Sequence, residues 1–217
     1  MNVAIILAAG ESRRMGQPKQ LLPFGPQTML ECVIDAFRSP KIDEILVVLG
    51  HKAEEIAATI GDQIPRGSGA PAATGGFDRG AKAAPTFQIV RNPRYQQGMF
   101  TSVQAGLRAL PKPAALVMIA LCDQPRLQRA TVEKLIGQFA EGHHKILVPV
   151  YDGHQGHPLL FRAQYAKEIL AMDESLTLKH FLAVHAEDIV RLPTTDEGVL
   201  IDIDDRETYE RESKQQP

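Results

Sequence analysis

The sequence predicts an α/β fold, a doubly wound and mostly parallel sheet with helices on both faces. Two observations carry this. Short runs that are almost wholly apolar and rich in β-branched residues recur along the chain, as strands covered on both faces require. Between them lie stretches of helical periodicity, and that alternation is the mark of βαβ winding.

Residues 2–9 (NVAIILAA) form the first such run. Residues 44–50 (EILVVLG), 86–90 (TFQIV), 114–121 (AALVMIAL), 145–150 (KILVPV) and 199–203 (VLIDI) read as further strands. Helix starts are marked by Thr28 with Glu31 and by Thr101 with Gln104, each at capping-box spacing. Leu30, Val33, Ile34 and Phe37 then fall on one apolar stripe. Residues 61–85 are rich in Gly, Ala and Pro with hardly a large apolar side chain, which predicts a mobile surface insertion rather than part of the core. The polar end, residues 212–217, predicts a frayed tail.

Composition narrows the class. At 217 residues and 44% apolar content, one domain spanning 1–217 can bury a sizeable core. A net charge of −2 with interspersed signs leaves no broad electrostatic footprint for nucleic acid or an anionic membrane. Cys32 and Cys122 lack metal-site spacing, and no apolar run approaches the roughly 20 residues of a bilayer span. The expectation is a cytoplasmic protein acting on small molecules.

Chemistry concentrates after the first strand, in LAAGESRRMGQPK at 7–19. Gly10 and Gly16 allow close backbone approach, and free N–H groups there with Arg13, Arg14 and Lys19 would surround a polyphosphate with donors. The spacing matches neither the Walker A loop nor the dinucleotide G-x-G-x-x-G fingerprint. Asp123 follows the apolar run 114–121, so its carboxylate projects from a strand's carboxyl end, where a Mg²⁺ shared with phosphate would sit. If 199–204 is a strand, Asp202 and Asp204 share a face, and either supplies a second carboxylate; Asp202 is preferred.

These residues resemble a known family. L-A-A-G-x-S-x-R-M-G-x-x-K at 7–19 is similar to the signature of the MobA-like nucleotidyltransferases, and most closely of molybdenum cofactor cytidylyltransferases. NPRYQQGMFTSVQAGL at 92–107, LCDQP at 121–125, GHP at 156–158 and DIDDRETY at 202–209 resemble further family segments. Cys122 stands where glycine is usual, Asp205 and Arg206 replace Thr-Pro, and Thr208 replaces an acid.

The resemblance implies a Rossmann-like sheet of the nucleotide-diphospho-sugar transferase type with a small acceptor lobe at about 150–198. It implies transfer of CMP from CTP to the phosphate of a molybdopterin-type acceptor with Mg²⁺ as cofactor. A molybdoenzyme or its chaperone is a further partner it suggests. Arg14, Lys19 and Asp123 become the catalytic candidates. Nucleotide binding falls to Leu7, Ala8, Ala9, Gly10, Ser12, Arg13, Arg14, Gly16, Lys19, Gly98, Met99 and Ser102. Asp123 with Asp202 or Asp204 would hold metal, and Gly156, His157 and Pro158 would meet the acceptor. LAAG resembles the cytidylyl branch and LAGG the guanylyl branch.

Blander readings stand beside these. Met99 and Phe100 also suit core or rim, and His157 an ordinary loop histidine. His51, His143 and His144 read as surface groups. Cys122 reads as a small buried side chain rather than a nucleophile. A cytidylyltransferase acting on a sugar or polyol phosphate such as methylerythritol phosphate shares the same core. A nucleotide-binding regulatory module without turnover is the remaining alternative.

Overall fold

The structure, a computed structural model, describes residues 1–61 and 84–214. Strand β1 (Asn2–Ala8) leads through a loop and a small hairpin, β2 (Pro23–Phe24) and β3 (Gln27–Thr28), into helix α1 (Met29–Ala36). Then come β4 (Glu44–Leu49), α2 (Ala53–Gly61), β5 (Thr86–Arg91), α3 (Met99–Arg108) and β6 (Leu116–Leu121). The rest comprises α4 (Arg129–Glu141), β7 (Ile146–Tyr151), β8 (His154–Gln155), β9 (Leu159–Arg162), α5 (Ala166–Ala171), α6 (Leu178–Val184), β10 (Ile189–Pro193) and α7 (Arg206–Ser213).

One eight-stranded sheet runs β10-β7-β9-β6-β1-β4-β5, with β8 paired to β7. β6, β1, β4 and β5 are mutually parallel, as are β10 and β7, whereas β9 runs antiparallel between β6 and β7. Alternation along β1 explains its continuous apolarity. Ala4, Ile6 and Ala8 pack in one core with α1, α2 and α4. Val3, Ile5 and Leu7 pack in the other with α3, α5 and α6. Both faces are covered, so neither set can be polar. Gly106 lets α3 lie directly on β1, since a Cβ there would stand 2.5 Å from Ile5 Cγ2.

The chain first winds outward from β1 to β4 and β5, then crosses back to lay β6 on the other side of β1. That reversal opens a crevice at the carboxyl ends of β1 and β6, the place where open α/β sheets bind ligands.

Five of the six expected strands form where the sequence predicts them, and the Thr28 capping box is present: Glu31 N–H donates to Thr28 Oγ1 (3.3 Å) and Thr28 N–H to Glu31 Oε2 (2.7 Å). Three expectations are corrected. Residues 199–203 are not a strand; a 3-10 turn at Glu197–Val199 precedes an irregular segment whose hydrogen bonds run to loops, Ile203 N–H to Asp123 O (2.9 Å) and His157 N–H to Val199 O (2.9 Å). Thr101 caps nothing. Gly98 is the N-cap of α3, Thr101 Oγ1 lies 2.9 Å from Gly98 O, and Gln104 Nε2 donates instead to Ile169 O and Met172 O. Glu212 and Ser213 belong to α7 rather than to a frayed tail, and Glu212 is buried against Arg126. Of the expected insertion, Gly61 closes α2, while 62–83 lie outside the described residues, as do 215–217. The stretch 150–198 carries α5 and α6 and returns β9 and β10 to the sheet. Among the described residues no helix is long and apolar enough to cross a membrane.

Candidate active site

The loop after β1 is held by its own side chains. Gln20 is fully buried and donates from Nε2 to Ala8 O (2.9 Å) and Gly10 O (3.1 Å), fixing how the chain leaves the strand. Ser12 adopts a left-handed backbone (φ 54°), and its Oγ accepts from Lys19 N–H (3.0 Å). Between them, Arg13–Met15 form a 3-10 turn that ends on Gly16 at φ 69°, a conformation glycine takes without a Cβ penalty. The loop is thus wrapped so that Lys19 points inward.

Lys19 Nζ donates to Asp123 Oδ2 (2.6 Å) and to Asp204 Oδ1 (2.7 Å). Its side chain is only 11% exposed. Burial alone would lower the lysine's pKa, but the Asp123 carboxylate and the bonds to Asp123 and Asp204 outweigh it and hold the ammonium above the ordinary lysine range. Asp204 is pushed the opposite way: burial acts to raise it, and Lys19 and Arg14 pull it below the usual carboxylate range. Arg14 Nη2 donates to Asp204 Oδ2 at 2.8 Å.

Asp202 sits differently. Its Oδ1 accepts from Gln124 Nε2 (2.8 Å), and burial together with the charge of Asp123 raises its pKa. Of the two candidate second carboxylates, Asp204 is the one that shares the Lys19 ammonium with Asp123. Among the described residues, neither Asp123 Oδ1 nor Gln124 Oε1, both buried, has a hydrogen-bond partner.

A cleft of about 190 Å³ opens at this point. Leu7, Ala9 and Gly10 line it from the end of β1, Leu121, Cys122 and Asp123 from the end of β6, Tyr95, Met99 and Ser102 from the α3 side, and Lys19 from the loop. Tyr95 stands close to the strand ends because Gly50 yields the space; a Cβ there would come within 2.5 Å of Tyr95 Cβ and 2.8 Å of Ala9 O. Ser102 Oγ, buried in the first turn of α3, accepts from Asn92 Nδ2 (2.9 Å) and so keeps its own proton for another acceptor. Cys122 is buried, and burial first, then Asp123, pushes its thiol up to about 12, so no thiolate is present near neutrality.

Not every predicted residue reaches this cleft. Ala8 is fully buried, Gly16 turns the loop, and Arg13 faces solvent paired with Glu11. Gly98 (φ 116°) lines a second cavity of about 170 Å³ with Gln97, Met99, Phe100 and Val103, closed opposite by residues 174–178. Met99 borders both cavities and is 60% exposed, whereas Phe100 is core. Glu174, on one wall of the second cavity, forms an ion pair with Arg94.

The 156–158 turn abuts the cluster. A Cβ on Gly156 would lie 2.2 Å from Val199 O, so only glycine fits without moving the segment that delivers Asp202 and Asp204. His157 has its pKa lowered by burial, with the charge of Asp123 opposing. Pro158 is buried. Gln20, Tyr95 and Gln124 went unremarked in the sequence, since a single Gln or Tyr in a loop carries no spacing signal.

Among the described residues no group of three or more His, Cys, Asp or Glu is arranged to hold a metal ion unaided. The donor set suits instead a hard cation shared with phosphate oxygens, which takes only one or two carboxylates from protein. The unpartnered, buried Asp123 Oδ1 is the observation that fits it.

A family described as the MobA-like NTP transferase domain matches residues 4–189. The bifunctional protein GlmU of Burkholderia lata is 29% identical over 164 residues, covering 75% of this chain and 31% of that protein. This chain thus spans about a third of the GlmU relatives it matches. Nicotine blue oxidoreductase of Paenarthrobacter nicotinovorans is 27% identical over 165 residues, 73% of this chain and 70% of that one. Molybdenum cofactor cytidylyltransferase of Escherichia coli K12 is 28% identical over 157 residues, 72% of this chain and 67% of that one. Among solved structures, Rv0371c of Mycobacterium tuberculosis H37Rv superimposes with a TM-score of 0.73 at 24% identity, over 98% of this chain and 96% of that one. A manganese complex of Rv0371c gives 0.64 at 21%, over 98% and 97%. The chain belongs to the MobA-like NTP transferase domain family.

Proposed function

We propose that this protein is a Mg²⁺-dependent nucleotidyltransferase that joins CMP from CTP to the phosphate of a molybdopterin-type acceptor and releases pyrophosphate. The observation that carries the reading is the Lys19 ammonium held between Asp123 and Asp204 at the rim of the β1–β6 cleft. The lysine is a donor for phosphate and the carboxylates are ligands for its metal, so the parts a triphosphate needs are gathered at one crevice.

A phosphate monoester, with a second pKa of about 6, is already a dianionic nucleophile near neutrality, so no general base is needed. The work is positioning and charge neutralisation. Lys19 and Arg14 face the leaving β- and γ-phosphates, Arg14 being exposed enough to swing from Asp204. Mg²⁺ at Asp123 with Asp204 or Asp202 would neutralise charge on the phosphates; in support, the Rv0371c neighbour has been solved with manganese. The backbone at 7–10, Tyr95 and the free Ser102 proton suit the base and ribose.

The acceptor would approach past Gly156, His157 and Pro158 and along the second cavity, within a lobe at about 150–198 of a single domain. Support for a molybdopterin acceptor comes from the Escherichia coli relative, and for CTP from the LAAG resemblance. A molybdoenzyme or its chaperone, in the cytoplasm, would take the product. A relative named as an oxidoreductase also matches, but a lysine and two carboxylates at one crevice favour phosphate transfer here.

The test is product identification after incubation with Mg²⁺, CTP and molybdenum cofactor, with methylerythritol phosphate in parallel. A cytidine dinucleotide from the molybdenum cofactor supports the reading. Product only from the polyol phosphate selects that acceptor instead, and CTP binding without any product selects a regulatory module.

A further inference from the structure

Lys19 would have both to neutralise two carboxylates and to donate to phosphate, and one ammonium cannot do both at full strength. With Asp123 Oδ2 at 2.6 Å and Asp204 Oδ1 at 2.7 Å, at most one of its three protons is left for anything else. Arg14 occupies the other oxygen of Asp204. Without nucleotide, the charge that would attract a metal is already covered by protein cations. Asp123 and Asp204 are also the carboxylates that would hold a hard divalent cation, and an ammonium beside them repels a dication.

We infer that Lys19 is a resident counter-ion that keeps divalent metal out of the nucleotide-free site and yields its place only when a triphosphate draws the ammonium, with Arg14, onto phosphate oxygens. Withdrawal leaves Asp123 and Asp204 unpaired, beside an Asp123 Oδ1 that has no hydrogen-bond partner among the described residues. Metal and nucleotide then bind with positive coupling, and each raises the other's affinity by the same factor. This deepens the proposed function and takes from it the kind of nucleotide and metal. It concerns binding alone, so a protein that binds CTP yet transfers nothing still obeys it.

The experiment titrates the full-length protein with Mn²⁺ and follows the ion by electron paramagnetic resonance. Wild type binds Mn²⁺ alone at least about tenfold more weakly than Lys19→Met, the scale of an ordinary coupling between two sites. Adding Asp123→Asn to Lys19→Met abolishes the gain. With α,β-methylene-CTP present, and after correction for Mn²⁺ chelated by free analogue, Mn²⁺ binding tightens more in wild type than in Lys19→Met. Lys19→Gln, which can hydrogen-bond both carboxylates without charge, replaces the Met variant if that one does not fold. Wild type that binds Mn²⁺ alone as tightly as the lysine variant overturns the inference. So does a tightening by the analogue, corrected for Mn²⁺ chelated by free analogue, that is as large in Lys19→Met as in wild type, since it would then trace to the triphosphate's own oxygens.

Discussion

The Lys19 ammonium lies 2.6 Å from Asp123 Oδ2, across 104 residues of sequence. The two come together because β1 and β6 are adjacent parallel strands, so the loops at their carboxyl ends share one crevice. Asp204 completes the group from a third segment, whose Ile203 N–H is bonded to Asp123 O.

Removing the lysine charge leaves two carboxylates facing each other. Lys19→Gln should destabilise the nucleotide-free protein by about 3 kcal/mol, the low end for breaking a buried pair, because Asp204 is 39% exposed and partly screened by water. Urea denaturation checks this. A loss below about 0.5 kcal/mol would show that the pair holds nothing together.

Asp202 and Asp204 should respond in opposite directions. Asp204 has a lowered pKa, so its ionised form stabilises the fold above the ordinary carboxylate pKa of 3.8, and that contribution is lost as pH falls through the lower folded value. Asp202 has a raised pKa, so its contribution is present only when protonated and is lost as pH rises through the folded value. At pH 7, Asp204→Asn should therefore lower the urea midpoint. Asp202→Asn should raise it, each by under about 1 kcal/mol for these solvent-screened groups. Equal shifts of one sign contradict the arrangement.

Lys19 gives the complementary alkaline signature. Its raised pKa stabilises fully below the unfolded value of 10.5 and is lost as pH rises through the folded value. Stability attributable to Lys19, wild type minus Lys19→Gln, should stay level from pH 7 to 9.5 and decline only above about 10.5.

Much of this was legible in the sequence and some was not. Strands β1, β4, β6 and β7 announced themselves because burial on both faces leaves little room for polar residues, whereas β5, a half-exposed edge strand, showed through its β-branched and aromatic run alone. β9 and β10 did not. LLFR is four residues beside a proline, and IVRLP is a half-exposed edge strand ending in proline. VLIDI misled because its apolar residues pack elsewhere, Val199 in the main core and Ile203 beside Phe24 and Met29, without a ladder between them. Lys19 and Asp123 were readable from strand-end placement. The choice between Asp202 and Asp204 was not, since a presumed two-residue period put both on one face, and the irregular segment sends one to Gln124 and the other to Lys19.

Gly156→Ala should cost about 1–3 kcal/mol, because its Cβ would collide with the Val199 carbonyl and something must shift. The melting temperature should fall by a few degrees. Turnover should fall further than stability, as the shift reaches the segment carrying Asp202 and Asp204.

Cys122→Gly should retain activity within about threefold, since a thiol titrating near 12 is no nucleophile at neutral pH. Iodoacetamide at pH 8 should leave Cys122 unmodified in the folded protein, as mass spectrometry would show.

The central claim, that Lys19 and Asp123 together serve a triphosphate, is tested most directly by pyrophosphate release with molybdenum cofactor and Mg²⁺ across CTP, GTP, ATP and UTP. Wild type and Asp123→Asn, an exchange that alters charge and hardly any volume, are run side by side. The prediction is release that is fastest with CTP and falls by about 10²–10³-fold in the folded variant. Undiminished release by Asp123→Asn would contradict the account.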